Sequence, residues 1–540
     1  MSTSKILRGT FILTMGTMLS RALGLLYIIP FYNLVKEDGG ALYTYAYILY
    51  SVALSISTLG LPLAVSKFVA KYNALEEYKV GRKLFSSGLI IMGAMGVISF
   101  LGLFLLAPQL APLIIKDVED SANSIEDVVY VIRMVSFALL LVPIMSMIRG
   151  FFQGHESMGP TALSQVVEQI VRIAFLLGGA YVVLRLLDGD IQTAVGMATF
   201  AAFVGAVAGL AILVWYWMKR KTYLDALLEK DKGTVNLSIK SMYKELLLYA
   251  GPFVFVGLAL PLYQMVDMFT FNHAMAQIGL VKVSEEAFGM INTYGQKLVI
   301  IPVTLATSFA LTLIPAITKS YQLGDQAILQ KQISKTLQIL LFLTVPACVG
   351  LSILGGPAYA AFFEYRELGG YLLSWFAPVA IPLAIFTVTA AILQGINKQK
   401  HSVYSLIIGL SLKFSLNYVF ILWFNAEGSI IATGIGYSAS CAYNLWVIKK
   451  YAKFDYTFVA RRFLLMAIFN VAMLVTVLVT SSLIQGVVPY SEGRLYAILF
   501  LAICVAVGAG VYMYLSYKST LLYFLLGDRI RFLRRQKEVS

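Results

Sequence analysis

The chain has 540 residues, of which 59% are hydrophobic and only 13% charged, with a mean hydropathy of +0.80. Soluble domains carry about a quarter charged residues, so this composition excludes a string of soluble domains and requires a multi-spanning membrane protein. The net charge of +14 would suit nucleic acid if the basic residues shared one solvated face, but they sit in short segments between apolar runs, which excludes that partner.

A span needs roughly 20 apolar residues to cross the hydrocarbon, and cutting at charged and Gly/Pro-rich breaks predicts fourteen. The first six are 8–31, 41–66, 84–107, 128–151, 161–184 and 191–218. Six more follow a basic break at 219–245: 246–274, 288–318, 333–355, 370–394, 402–424 and 428–448. The last two are 463–485 and 495–525, ahead of a basic tail. Lys5 and Arg8 precede the first apolar run much as in a signal peptide, yet the run passes Pro30 with no small-residue cleavage site and reads as a retained span.

Loop charge tests this count. With a cytoplasmic N-terminus and alternating loops, and with Arg8, Arg149, Lys335 and Lys518 at the cytoplasmic ends of spans counted as inside, 31 of the 42 Lys and Arg fall inside, 6 outside and 5 within spans, whereas the acids divide 11, 15 and 2. The excess is basic and one-sided, as the positive-inside rule requires, and it predicts that both termini and the 219–245 segment are cytoplasmic, against anionic headgroups.

Ionisable residues inside spans mark a pathway or a buried pair. In span one, Thr10, Thr14, Thr17, Arg21 and Gly24 recur at helical spacing and draw one polar stripe. Arg133 sits near a span end and can snorkel. Span five carries Gln165, Glu168, Gln169 and Arg172, with Glu168 and Arg172 spaced for an intrahelical salt bridge. Span seven offers Gln264 and Asp267, the latter a counter-ion for Arg21 or Lys297 or else a cation site. Span eight has Thr293, Gln296, Lys297, Thr304, Thr307 and Ser308, interrupted by Pro302, and span eleven has Lys413 near its middle.

An internal repeat orders these positions. Arg149-Gly150-Phe151-Phe152-Gln153-Gly154 ends span four and Ala391-Ile392-Leu393-Gln394-Gly395 ends span ten, with the Gln-Gly pairs 241 positions apart. At the same offset Arg172 matches Lys413 and Gly16 matches Gly257, while Pro62 has its counterpart in Pro315 at an offset of 253. Six spans per repeat leave both halves the same way up, which predicts two lobes related by an axis along the membrane normal, with the substrate site between them.

No Walker A, HExxH or GxSxG occurs, and His155, His273 and His401 are scattered. Cys348, Cys441 and Cys504 lie in apolar runs without metal or redox spacing and read as small core residues. Neither an enzyme nor an ATP-driven pump fits, and no cofactor or metal is expected. A secondary transporter or flippase with a cationic cavity remains.

Ser20-Arg21-Ala22-Leu23-Gly24, Arg149-Gly150 through Gln153-Gly154, Ser164 through Arg172, Asp267, Pro315 and the two added C-terminal spans resemble the MOP superfamily of polysaccharide and lipid exporters. Within it the resemblance is to the MurJ family of lipid II flippases, in its Gram-positive YtgP-like form, related to SpoVB, and covers nearly the whole chain. It implies an all-α fold of 14 transmembrane helices. The N-lobe would take 1–218, a cytoplasmic linker 219–245, the C-lobe 246–450, a lipid-tail groove 451–525 and a basic tail 526–540. It implies a bacterial plasma-membrane protein that moves undecaprenyl-pyrophosphate-linked peptidoglycan precursor from the inner to the outer leaflet, driven by membrane potential or a coupling cation. Cell-wall synthesis proteins would be its partners.

The family's cavity arginine carries over to Arg21. Some members have a second basic residue where Leu25, Leu26 and Tyr27 stand here, and Met268 rather than Arg follows Asp267. The candidate substrate set is Arg21, Lys297, Asp267, Arg172, Glu168 and Lys413, with Gly24, Pro62, Pro302, Pro315, Gly154 and Gly395 as structural or hinge positions. The alternatives are export of another prenyl-linked saccharide, a MATE-like cation-coupled multidrug antiporter, and a non-transporting scaffold. MATE exporters normally stop at twelve spans, and a carrier of cationic drugs would need a net acidic cavity.

Overall fold

A computed structural model describes residues 3–58, 61–116, 121–234 and 254–526, with residues 238, 242, 243 and 251; within its helices the side chains of residues 3–12, Thr14, Arg21, residues 61–64, Phe309 and Leu526 lie outside the description. The chain divides into two compact units, Met1–Gly289 and Met290–Ser540. Among the described residues all regular structure is helical.

The first unit runs α1 (Thr3–Leu26), α2 (Ile28–Thr58), α3 (Leu61–Ala74), α4 (Tyr78–Ile114), α5 (Ile125–Ser136), α6 (Val142–Gly154), α7 (Met158–Tyr181), α8 (Ile191–Glu229), α9 (Ala259–Gln277) and α10 (Val281–Gly289). Local chemistry sets several of these ends. Ser124 and Asp127 form a reciprocal capping box that starts α5, and Asp190 caps α8 by accepting from the Thr193 N–H at 2.9 Å. Lys36, at φ 53°, breaks α2 and separates the end of span one from the start of span two. The helix of span six does not stop at 218: α8 has 39 residues and continues through Glu229.

The second unit opens on a π-helical stretch, Met290–Gly295, that leads into α11 (Gln296–Leu311). It continues with α12 (Ile314–Gln322), α13 (Gln326–Ile353), α14 (Gly355–Phe362), α15 (Glu367–Phe376), α16 (Ala380–Gly395), α17 (Gln399–Phe424), α18 (Ala426–Ala452), α19 (Thr457–Ile484), α20 (Arg494–Lys518) and α21 (Leu521–Leu526). Large apolar side chains on its outer helices stay exposed, among them Phe414, Trp423, Leu464, Val471 and Leu483. Apolar surface of that kind is ordinary against lipid and untenable in water.

Ten helical stretches among the described residues are long and apolar enough to cross a membrane. They correspond to spans two to six, nine to eleven, thirteen and fourteen. Of the other four predicted spans, side chains in part of the first lie outside the description, α11 is short (16 residues), α9 carries Gln264, Asp267, Asn272 and His273, and α18 carries Ser429, Thr433, Ser440 and Asn444 in its buried face.

The repeat is visible in the turn that ends each lobe's fourth span. After α6, Glu156 takes φ 56°; after α16, Asn397, at the offset of 241, takes φ 58°. The Glu156 N–H donates to Gln153 O at 2.9 Å, and the Asn397 N–H to Gln394 O at 3.1 Å. The glycines before these turns have the same use. A Cβ on Gly154 would sit 2.6 Å from Val69 Cβ of α3, and one on Gly395 would sit 2.9 Å from Thr318 Oγ1 of α12, so each lets two helices approach closely.

Candidate substrate site

In the first unit, α1, α2, α6 and α7 bring the polar positions together. Gly16 packs on Ala162 and Gly24 on Gln169, so α1 lies close along α7, where Thr17 Oγ1 donates to Gln165 Oε1 at 3.3 Å. The backbone of Arg21 is thereby on the helix that faces the Gln165–Arg172 stripe, but its side chain lies outside the described residues, as does that of Pro62. Glu168 does not pair with Arg172. Arg149 reaches it from α6, with Nη2 donating to Glu168 Oε2 at 2.8 Å and Nε to Ser164 Oγ at 2.8 Å. The side chains of this ion pair are only 13% and 17% exposed. Such a pair holds α6 to α7, and loss of either partner strands a charge at a cost of about 3–5 kcal/mol.

Arg172 rests instead on tyrosines of α2. Its guanidinium lies 5.1 Å from the centre of the Tyr47 ring, Tyr43 stacks on Tyr47 at 4.4 Å, and the Tyr43 and Tyr27 hydroxyls are 3.2 Å apart. No carboxylate of the described residues is within ion-pair distance of Arg172. A guanidinium held by π faces keeps its charge and its planar fork of donors, which suits an oxyanion. Asp267 is buried on α9, 4% exposed. That helix is fixed through Asn272, whose Nδ2 donates to Tyr45 Oη at 2.7 Å and to Ile114 O at 3.1 Å.

In the second unit, Lys297 is half-buried in the first turn of α11, directly after the π-helical stretch. Lys413 is enclosed between α17 and α18, fully buried, with Nζ donating to Ser429 O at 2.9 Å and Thr433 Oγ1 at 2.6 Å. An ammonium bonded in this way braces a helix pair. Pro302 lies within α11 and Pro315 at the start of α12.

The second unit also holds a groove of about 500 Å³, lined from α11 by Leu298, Pro302 and Leu305, from α13 by Phe342 and Pro346, from α19 by Met473 and Val477, and from α20 by Leu501, Gly508 and Tyr512. Gly508 contributes by lacking a side chain, since a Cβ there would meet Val477 at 2.7 Å. The lining is almost wholly apolar, so it accepts hydrocarbon and no charged group. The three cysteines are buried thiols, with Cys441 Sγ donating to Pro382 O at 3.1 Å.

Sequence reasoning missed the partner of Glu168, because the contact joins different helices and the i,i+4 spacing suggested a nearer one. The tyrosines under Arg172 were missed for a similar reason: in a chain that is 13% aromatic, nothing in spacing alone separates a cation's support from core.

Two units of apolar helices, with cations inside spans and an apolar groove along the final pair, define a multi-pass membrane protein of the exporter class. Residues 6–321 match the family described as "Polysaccharide biosynthesis protein". The chain is 48% identical, over 98% of both chains, to the lipid II flippase MurJ of Bacillus subtilis (strain 168). The chain belongs to this polysaccharide biosynthesis family and, within it, to the MurJ family. Among solved structures, the fold matches a lipid II flippase MurJ in an inward closed conformation with a TM-score of 0.66 at 15% identity, covering 95% of this chain and 99% of that one. It also matches an inward-facing multidrug resistance MATE family transporter of the MOP superfamily with a TM-score of 0.60 at 16% identity, covering 80% and 98%.

Proposed function

We propose that this protein is a lipid II flippase, moving the undecaprenyl-pyrophosphate-linked precursor from the inner to the outer leaflet of the bacterial plasma membrane. The observation that carries this reading is 48% identity, over 98% of each chain, to the lipid II flippase of Bacillus subtilis. The described residues supply chemistry that suits it. Arg172 offers an oxyanion a guanidinium with no competing carboxylate, and the groove in the second unit suits a prenyl tail.

The working set is Arg21, Lys297 and Arg172 on the pyrophosphate, with Asp267 a counter-ion for Arg21 or Lys297 or else a cation site. Glu168 and Lys413 act in support, through Arg149 and through the α17–α18 pair. Fourteen spans carry this set: lobes at 1–218 and 246–450, a cytoplasmic linker at 219–245, the groove spans within 451–525 and a cytoplasmic tail. Two lobes rocking about the headgroup expose it to each leaflet in turn while the tail stays in lipid.

Replacement of the native flippase in growing cells tests the assignment. Cells that depend on this protein should hold lipid II in the outer leaflet, and Arg21→Ala or Arg172→Ala at normal membrane abundance should lower that fraction at least tenfold. Accumulation of lipid II inside, despite abundant wild-type protein, would refute the flippase reading. Efflux of cationic dyes with no effect on lipid II would favour the antiporter. For topology, a cysteine at Ser491 should react with an impermeant thiol reagent in intact cells and one at Lys232 should not.

A further inference from the structure

At one end of the second unit the N-terminus of α17 and the C-terminus of α18 bring basic and aromatic side chains together, and the transport reading uses none of them. Lys398 Nζ lies 4.2 Å from the centre of the Tyr451 ring, and Lys450 Nζ lies 5.6 Å from the same centre and 5.1 Å from that of Trp446. The two ammonium groups therefore stand within about 10 Å of one another about a single ring. His401 completes the cluster, with its ring 5.4 Å from Tyr451 and Nδ1 2.9 Å from Tyr443 Oη. Among the described residues, no carboxylate lies within ion-pair distance of Lys398 or Lys450. Two like charges thus stand near one ring, Lys398 half-buried and Lys450 exposed.

The geometry points to a binding site for the phosphodiester headgroup of an anionic phospholipid, held between Lys398 and Lys450 with Tyr451 beneath and Trp446 at the acyl boundary. Charge complementarity requires an anion, and position selects its source. Lys398 stands at the start of α17, an apolar helix long enough to span, and Lys450 near the end of α18, which packs along it, where interfacial aromatics meet headgroups, and Trp446 is 53% exposed beside them. A soluble anion would engage the cations alone, whereas a lipid engages the cations with its head and the exposed side of the indole with its chains. Each lysine should favour an anionic over a zwitterionic lipid by about fivefold. The site is independent of the cargo and of the direction of transport.

The test uses the full chain in nanodiscs and reads Trp446 as the difference in fluorescence between wild type and Trp446→Phe. Phosphatidylglycerol brominated on its acyl chains should quench that signal several-fold more strongly than brominated phosphatidylcholine at equal mole fraction. The Lys398→Ala/Lys450→Ala protein should bring the ratio close to one, Lys398→Arg/Lys450→Arg should keep it, and molar salt should reduce it. Equal quenching by the two lipids in wild type, or a preference that survives the double alanine substitution, would overturn the site. Quenching only by a brominated prenyl pyrophosphate would assign the cluster to the cargo and equally overturn the phospholipid.

Discussion

The hairpin of α6 and α7 and that of α16 and α17 are the same structure built twice, with different charges. In the first, Thr161 Oγ1 donates to Arg149 O at 3.4 Å and Ser164 Oγ to Thr161 O at 3.0 Å; in the second, Ser402 Oγ donates to Ala390 O at 3.3 Å and Ser405 Oγ to Ser402 O at 2.9 Å. All of these positions correspond at the single offset of 241. Yet where the first hairpin has Arg149 and Glu168 bonded to each other, the second has Ala390 and Gly409. Arg172 lies on an aromatic face, and its counterpart Lys413 is sealed in oxygen ligands. Backbone frame and charge placement are thus separable: turns and hydroxyl ladders define the hairpin, and one copy carries an ion pair that leaves this frame undisturbed.

The largest effect should come from the ion pair found in one copy only. Arg149→Ala leaves Glu168 buried without its cation and should cost about 3–5 kcal/mol, visible as reduced membrane abundance and a lower thermal midpoint. Arg149→Ala/Glu168→Ala should recover most of that loss, bringing the first hairpin to the state of the second, which has no such ion pair. If the double variant is as unstable as the single, the pair is not what distinguishes the two hairpins.

Next comes a pH effect confined to the first unit. Glu285 of α10 accepts from the Asn123 N–H at 3.1 Å and from Asn123 Nδ2 at 2.6 Å. Burial raises its pKa from 4.5 to about 7; the Asn123 hydrogen bonds oppose that shift and the charge of Asp38 adds to it. An acid whose folded pKa is raised stabilises the fold below its unfolded pKa, and this contribution fades as pH rises through the folded one. The thermal midpoint should therefore fall by roughly 5 °C between pH 5 and pH 8, and Glu285→Gln should flatten the profile. A midpoint that rises over that range would reverse the assignment.

The two corresponding cations should separate by readout. Lys413→Met removes bonds to Ser429 O and Thr433 Oγ1 and should cost about 1–2 kcal/mol of stability, whereas Arg172→Met should leave stability nearly unchanged and abolish transport. The smallest effect lies in the turns. Glu156 and Asn397 share a left-handed conformation, which asparagine tolerates and glutamate does not. Glu156→Gly should gain about 0.5–1 kcal/mol and Asn397→Gly close to nothing, by thermal unfolding of each variant.

Much of this frame could be read in the sequence. The Gln153-Gly154 and Gln394-Gly395 pairs marked the ends of spans four and ten and the repeat offset, because a close approach to a neighbouring helix demands a residue without a side chain at one particular place. Helix ends were less legible: α8 runs past 218 because Lys219 to Glu229 form good helix in water as well, and a hydropathy cut sees only where the apolar stretch stops. Of the candidate site, the cations could be found and their partners could not. A buried charge is visible in one chain position, whereas its environment is distributed over α2, α6 and α18 and depends on packing.

The length of α8 bears on motion. At 39 residues it is on the order of 58 Å long, nearly twice the roughly 30 Å of hydrocarbon, and residues 219–229 carry it about 16 Å beyond span six as a lever. Its foot is stayed against the α3–α4 turn by Arg82–Asp225 at 3.3 Å, Lys79–Asp231 at 3.7 Å and Lys232–Glu76 at 2.8 Å. A tilt of about 10° at one end of a rod that long would sweep the other through roughly 10 Å, far more than any of these ion pairs can stretch. The same end is packed as well as tethered, with Trp217 stacked on Phe85 at 4.9 Å and Leu224 buried in the same cluster, so α8 and the α3–α4 turn must move as one piece.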